Sequence, residues 1–197
     1  MNIEIKRLVP DLISDYIYFF ENVAPLEDIA WGVCYCIWFH WSQSLDIECK
    51  QYGKAGGTCF KRDLAIRYIK EGILQGYLAY VDGSVAGWCN ANDKCNYAGL
   101  TKQKHPEYWD DVDNSGKVKS IVCYNIAPDM RRKGIATKLL DRVCSDASKE
   151  GYRCVEAYPG KGHANQYSYH GPLSTYEKNG FSVYKDLGYE VIVRRYF

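Results

Sequence analysis

Three cations stand side by side at Arg131, Arg132 and Lys133, and Gly134, Ile135, Ala136 and Thr137 follow them directly. Upstream, KSIVCYNIAP reads as a buried strand running into a proline; downstream, the pattern is that of an amphipathic helix. A strand, a basic turn and a helix N-terminus together make an anion-binding device. The first N–H groups of a helix have no partner inside it, and the helix dipole adds partial positive charge at the same place. Gly134 and Ala136 leave the backbone bare enough for a phosphate to come close. The chemistry expected here is main-chain capture of a phosphorylated ligand by residues 132–137, with Arg131, Arg132 and Lys133 adding charge.

The loop is neither of the two commonest phosphate-binding patterns. A Walker loop requires G-x-x-x-x-G-K-[ST] and a dinucleotide fold requires G-x-G-x-x-G; the pattern present is R-x-x-G-x-A. Other residue groups carry possible chemistry. Cys34, Cys36 and His40 form C-x-C-x3-H, with Cys49 and Cys59 further on. Zinc sites favour C-x2–4-C with a second ligand pair at a defined distance, and this spacing is irregular, so no metal is expected. The loop 158–174 is long and carries His163, Tyr167, Tyr169 and His170. Long ordered loops are often functional. Together with WGVCYCIWFHW, 31–41, this loop supplies the material for an aromatic substrate pocket or for a satellite core.

The elements that must position these residues read as follows. IEIKRLV, 3–9, alternates as a first strand, and Pro10 starts a helix with Leu12, Ile13, Tyr16, Ile17 and Phe20 at helical spacing. The stretch 50–58 is Gly-rich and reads as a loop. KRDLAIRYIKEGILQG, 61–76, is an amphipathic helix ended by Gly76. YLAYV and VAGWCNA, split by Asp82, Gly83 and Ser84, form a hairpin. The stretch 92–117 is polar and reads as a loop with room for a helical turn. Residues 119–127 form an apolar strand buried on both faces. The helix 134–149 buries Ile135, Leu139, Leu140, Val143 and Ala147, and Gly151 caps it. RCVEAY, 153–158, is the next strand. A short helix at 173–179 leads into FSVYKDL and EVIVRRYF, with a turn at Gly188. Hairpins on either side of a strand–helix–strand unit predict a mixed sheet and an α/β or α+β class.

Composition narrows the function classes. A chain of 197 residues with 47% hydrophobic content supports one domain with a full core. A net charge of +1 argues against a general nucleic-acid binder, because the cations at 131–133 are local. No run reaches the roughly 18 apolar residues of a membrane span, and MNIEIKRLVPDL has no apolar h-region. A cytoplasmic protein without membrane partners is expected. The odd count of nine cysteines, several at strand and helix core positions such as Cys123, Cys144 and Cys154, reads as reduced thiols.

The hexapeptide R-x-x-G-x-A resembles motif A of the GNAT superfamily of N-acetyltransferases, usually written [Q/R]-x-x-G-x-[G/A], with Arg131, Gly134 and Ala136 in its three slots. STYEKNGF, 174–181, resembles motif B, in which a Tyr precedes a short helix end and a Gly-Phe turn into a strand. The resemblance covers about residues 120–193. It implies a mixed, mostly antiparallel central sheet flanked by helices, in a single domain over 1–197. Within it, 119–181 would form the acetyl-CoA-binding core and 31–60 an aromatic and Gly-rich elaboration on the substrate side.

The resemblance also implies a reaction. Acetyl-CoA would be the co-substrate, its pyrophosphate on the N–H groups of 132–137 and its pantetheine beside Tyr124, Asn125 and Ile126. The N–H of Ile126 would polarise the acetyl carbonyl. The acetyl group would pass directly to a primary amine, expected to belong to a small molecule, with peptide transfer or a non-catalytic acyl-CoA sensor as alternatives. Tyr176 would donate a proton to the leaving thiolate, a phenol of pKa near 10 suiting a thiolate of similar basicity. Phe181 reads as packing and Gly180 as a turn requirement. The base is open among Glu156, Asp93, His170, Asp110, Asp111 and water. Many family members form homodimers.

Overall fold

A computed structural model of the chain describes residues 1–24, 33–109, 117–162 and 169–197, with the side chains of 54–56 outside the description. The alternating IEIKR gives β1 (Ile3–Arg7), which pairs antiparallel with β2 (Gly76–Val81). A two-residue turn joins β2 to β3 (Ser84–Asp93). Its residues Asp82 and Gly83 both have positive φ, 49° and 88°, the combination whose twist matches a hairpin. β3 pairs antiparallel with β4 (Val118–Ile126). The helix α4 (Ile135–Lys149) then carries the chain back, so that β5 (Cys154–Ala157) lies parallel to β4. A parallel neighbour requires such a crossover. The last strands, β6 (Ser182–Asp186) and β7 (Val191–Tyr196), complete a seven-stranded sheet of order β1-β2-β3-β4-β5-β7-β6. Among the described residues β4–β5 is the parallel pair and the rest are antiparallel, as the motifs implied.

Each sheet face has its own core. Ile135, Leu139, Leu140, Val143, Cys144 and Ala147 form the buried stripe of α4 and pack on Tyr77, Ala79, Cys89, Ile121, Val155 and Val193. Each large side chain buried there contributes about 1.5–3 kcal/mol. The opposite face is covered by the helical run 10–23 and by α3 (Gly53–Lys70). The first run contains α1 (Ile13–Tyr18) and ends in a π-turn, Phe19–Val23. The wider turn lets the adjacent Phe19 and Phe20 both be buried. Between the two runs lies α2 (Gln43–Lys50), whose N-cap Ser42 hydroxyl accepts the Leu45 N–H at 3.4 Å. A smaller cluster of Tyr97, Leu100, Val122, Tyr158 and Ile192 fills the same face beside β4. Among the described residues no helix is long and apolar enough to cross a membrane.

Several expectations are corrected. The Gly-rich stretch 50–58 is not a loop: α3 begins within it, at Gly53. The buried stripe of Phe60, Leu64, Ala65 and Ile69 overrides the weak helix propensity of Gly, a penalty of about 1 kcal/mol per residue. Gly76 does not end that helix, which stops at Lys70 with Gly72 in the left-handed region, φ 69°. Gly76 instead opens β2 at a point of close approach, where a Cβ would lie 2.2 Å from the Cys89 carbonyl oxygen. β4 is buried on both faces only over its first half; Cys123 to Ile126 are partly open. In the polar stretch 92–117, β3 runs on to Asp93, and 3-10 turns follow at Lys94–Asn96 and Pro106–Tyr108. The aromatic run forms a 3-10 turn at Trp38–His40, while its first residues, 31 and 32, lie outside the described residues.

Candidate active site

β4 changes its partnership halfway along. Asn90 pairs with Cys123 and Ala91 with Ile121, so Val122 is an extra residue in β4, a bulge. The bulge puts Val122 and Cys123 on one face, while Ile121, Tyr124 and Ile126 face α4. β5 pairs with β4 only as far as Ile121, opposite Ala157. Beyond that point a gap opens along one edge of β4. The Ala127 N–H donates to the Ala86 carbonyl on the β3 side at 2.9 Å. By ladder alternation, Asn125 also turns its main-chain groups to β3, and Tyr124 and Ile126 turn theirs into the gap. Of the three residues expected beside a pantetheine, Tyr124 and Ile126 therefore offer main chain to the gap and Asn125 does not.

The basic turn lies at the end of that gap. After a 3-10 turn at Pro128–Met130, Arg132 and Gly134 take positive φ, 61° and 83°, and α4 begins with Gly134 as its N-cap. Among the described residues no side chain caps this helix start. Arg131, Arg132, Lys133 and Gly134 are exposed, Ile135 is buried, and Ala136 and Thr137 are half-buried. The Arg131 Nε–H reaches back to the Ile126 carbonyl at 3.4 Å, tying the turn to the end of β4. A Cβ on Gly134 would meet nothing within 4 Å. Within the chain itself the demand for glycine is therefore conformational, set by positive φ.

Tyr176 sits on α5 (Leu173–Lys178), fully buried, with its ring 6.3 Å from that of Tyr124 and 5.4 Å from that of Phe181. Phe181 packs and Gly180, at φ 79°, makes the turn into β6, both as expected. The Tyr176 hydroxyl donates to the His170 carbonyl at 2.6 Å. Next to it, the Tyr124 N–H donates to the Tyr169 carbonyl, also at 2.6 Å. Burial pushes the Tyr176 phenol well above its ordinary pKa, so it stays protonated. The His170 ring packs among Phe39, Tyr158 and Tyr169, and its Nδ1 is buried without a partner among the described residues. Burial pulls this imidazole down to about 4, so it is neutral at neutral pH.

The structure commits two of the four candidate carboxylates, Glu156 and Asp93, to other contacts. Glu156 is fully buried between Lys94 Nζ at 2.7 Å and the Arg194 guanidinium at 2.5 Å. It also accepts from Tyr158 Oη at 2.7 Å. Tyr158 in turn meets Ser120 Oγ at 3.0 Å, and Tyr97 Oη donates to Asn90 Oδ1 at 2.8 Å. Sequence reading missed this buried polar chain, because neither Lys94 nor Arg194 stands in any recognisable motif. Asp93 caps a turn by accepting the Cys95 N–H at 3.0 Å. Asp110, Asp111, His163 and Tyr167 lie outside the described residues.

The Cys-x-Cys-x3-His group does not converge. Cys34 is exposed, Cys36 is buried with its carbonyl accepting from Asn90 Nδ2 at 3.0 Å, and His40 is buried with neither ring nitrogen partnered among the described residues. Among the described residues no three His, Cys, Asp or Glu side chains are grouped to hold a metal ion. All nine cysteines are free thiols.

Comparison with known proteins bears on the fold and the family. No curated protein sequence matches the chain significantly. Among solved structures, a polyamine N-acetyltransferase from Drosophila melanogaster superposes with a TM-score of 0.58 at 11% identity, each chain fully covered. A GNAT acetyltransferase from Streptococcus pneumoniae gives 0.55 at 13%, again with both chains fully covered. The PaiA N-acetyltransferase from Thermoplasma acidophilum, solved in complex with coenzyme A, gives 0.52 at 15% with both chains fully covered. At these identities the likeness is one of fold. The family model described as "Acetyltransferase (GNAT) family" matches residues 41–181, well over half of the sequence. With that span matched, the chain belongs to the GNAT acetyltransferases, enzymes that use an acyl-CoA to transfer an acyl group.

Proposed function

We propose that the protein transfers the acetyl group of acetyl-CoA directly to a primary amine of a small molecule. One observation carries this reading. The start of α4, the edge of β4 at Tyr124 and Ile126 beyond the last β5 pair, and the buried Tyr176 beside Tyr124 follow one another along β4. Acetyl-CoA supplies the activated acyl group; the residues bind, polarise and protonate. Residues 132–137 hold the pyrophosphate with main-chain N–H groups, and Arg131, Arg132 and Lys133 add charge. The N–H groups of Tyr124 and Ile126 hold the pantetheine edge, and one of them polarises the acetyl carbonyl. Tyr176, kept protonated by burial, gives its proton to the departing thiolate. With Glu156 and Asp93 committed elsewhere, we assign the amine proton to solvent water.

An aromatic cluster next to Tyr124 and Tyr176 supports a small acceptor over a peptide. The rings of Phe39, Tyr158 and Tyr169 surround that of His170, with centroids 4.5 to 6.2 Å from it. A neutral imidazole and aromatic rings favour the uncharged amine that the attack requires. The family model and the full-length fold matches support a single domain over 1–197, with 119–181 as the cofactor core and 31–60 on the substrate side. Nine free thiols support a reducing, cytoplasmic setting. The test is calorimetry with acetyl-CoA on the wild type and on Gly134→Glu, followed by thiol release with a panel of small amines and peptides. Micromolar binding lost in Gly134→Glu, with turnover on a small amine, is the expected result. Absence of binding, or turnover on peptides alone, overturns the reading.

A further inference from the structure

The two groups that the proposed mechanism reserves for the thioester end of acetyl-CoA are both engaged by the chain itself. The Tyr124 N–H leaves β4 three residues beyond the last β5 pair and takes the Tyr169 carbonyl at 2.6 Å. The Tyr176 hydroxyl takes the carbonyl of the very next residue, His170, also at 2.6 Å. Both contacts are made by main-chain oxygens, so they do not depend on which side chains occupy 169 and 170. Gly171, at φ 74°, follows directly and lies against both tyrosines. A Cβ there would stand 3.8 Å from Tyr124 Cδ2 and 3.9 Å from Tyr176 Cε2, which is ordinary contact. What ties the segment to its docked shape at Gly171 is thus the left-handed backbone and not a lack of space. The Tyr169 side chain is half exposed, whereas the carbonyls are turned inward.

We infer that residues 169–171 are a built-in competitor of the acyl-CoA, occupying with two successive carbonyls the donor pair formed by Tyr124 N–H and Tyr176 Oη. The thioester, carbonyl and sulfur together, gains the pair only when the segment leaves it. Docking then lowers the apparent cofactor affinity by the fraction of molecules in which the segment has withdrawn. It also satisfies a buried N–H and a buried hydroxyl that an empty cleft would leave without partners, a costly condition. Withdrawal moves His170 and Tyr169 out of the aromatic wall at the same step. The acceptor side of the site is therefore remodelled at the same step that admits the cofactor.

The inference rests on the cofactor reading proposed above, and the experiment separates the two. Acetyl-CoA is mixed with the full-length protein in a stopped-flow instrument and binding is followed by tryptophan fluorescence, with the dissociation constant from calorimetry. The wild type is compared with Gly171→Ala and with Gly134→Glu. An alanine in the left-handed region disfavours the docked segment, so Gly171→Ala should bind acetyl-CoA about tenfold more tightly. In the wild type the observed rate should level off at high acetyl-CoA, at the rate of withdrawal, and Gly171→Ala should raise that plateau. A rate that rises linearly without a plateau, together with unchanged affinity in Gly171→Ala, overturns the competitor while leaving the cofactor reading intact. Failure of the wild type to bind acetyl-CoA overturns both. The wild-type plateau decides the matter alone if Gly171→Ala does not fold.

Discussion

Glu156 and Arg194 face each other as register partners on β5 and β7, and the guanidinium closes on the carboxylate through Nε at 2.6 Å and a terminal nitrogen at 2.5 Å. Lys94 holds the other oxygen at 2.7 Å, and all three side chains are almost completely buried. The arrangement makes Glu156 a structural ion-pair partner and not a base. Glu156→Gln keeps the shape and removes the charge that two buried cations face. Loss of one member of a buried ion cluster costs about 3–5 kcal/mol. The expected outcome is an unfolding free energy from urea denaturation lowered by that amount, with the turnover of the remaining folded enzyme close to wild type. A variant of normal stability with abolished turnover would return Glu156 to the chemistry.

His40 gives the fold a pH dependence of definite sign. Its ring is 3% exposed, lies 5.0 Å from that of Tyr97, and has neither nitrogen partnered among the described residues. Burial draws the imidazole from 6.5 to about 4. Below pH 6.5 the unfolded chain takes up a proton that the folded chain refuses. The contribution is therefore fully present above pH 6.5 and is lost as pH falls towards 4. Over that window one such group removes on the order of 3 kcal/mol. Denaturation midpoints between pH 7 and pH 4 should fall accordingly, and His40→Phe should flatten the decline. An unchanged slope in that variant would show that other groups carry it.

The legible parts of this chain were those in which one local pattern dictates one local structure. The basic turn into α4, the stripe from Ile135 to Ala147, the Asp82-Gly83 hairpin and the Tyr176–Phe181 turn are all set by residues within a few positions of each other. The parts that escaped depend on long-range company. α3 starts inside a Gly-rich stretch because Phe60 and Leu64 find Leu78 and Trp88 across the sheet. Lys94, Glu156 and Arg194 look like surface charges until β3, β5 and β7 bring them together. The self-occupied gap of β4 was hidden for a different reason. Its ligands are backbone carbonyls, which leave no trace in residue types.

Tyr176 is expected to act as an acid that never titrates in the working range. Burial raises its phenol well above the ordinary value, so the protonated form persists and supplies no alkaline limb to the pH profile. Tyr176→Phe keeps the ring contacts with Tyr124 and Phe181 and removes only the hydroxyl. Loss of general-acid assistance lowers kcat by about 100-fold. Acetyl-CoA affinity should change far less, and the acid side of the pH profile should stay in place. A variant with unaltered kcat would reduce Tyr176 to packing.

Two glycines separate folding from binding. Gly76 sits where a Cβ would lie 2.2 Å from the Cys89 carbonyl oxygen and 2.4 Å from the Trp88 ring, both of which are buried. Neither neighbour can move without breaking the β2–β3 ladder. Gly76→Ala should therefore cost about 3 kcal/mol or more in stability, at the upper end of overpacking. Gly134 has open space around its Cβ position and only a left-handed backbone, φ 83°. Gly134→Ala should cost about 1–2 kcal/mol, the penalty for an L-residue in that region. It should leave the protein folded, and because the strain falls on the start of α4, acetyl-CoA binding should weaken by more than stability declines. Urea denaturation and calorimetry on both variants check this. If Gly134→Ala binds acetyl-CoA as wild type does, the left-handed turn is not what presents the helix N–H groups to the ligand.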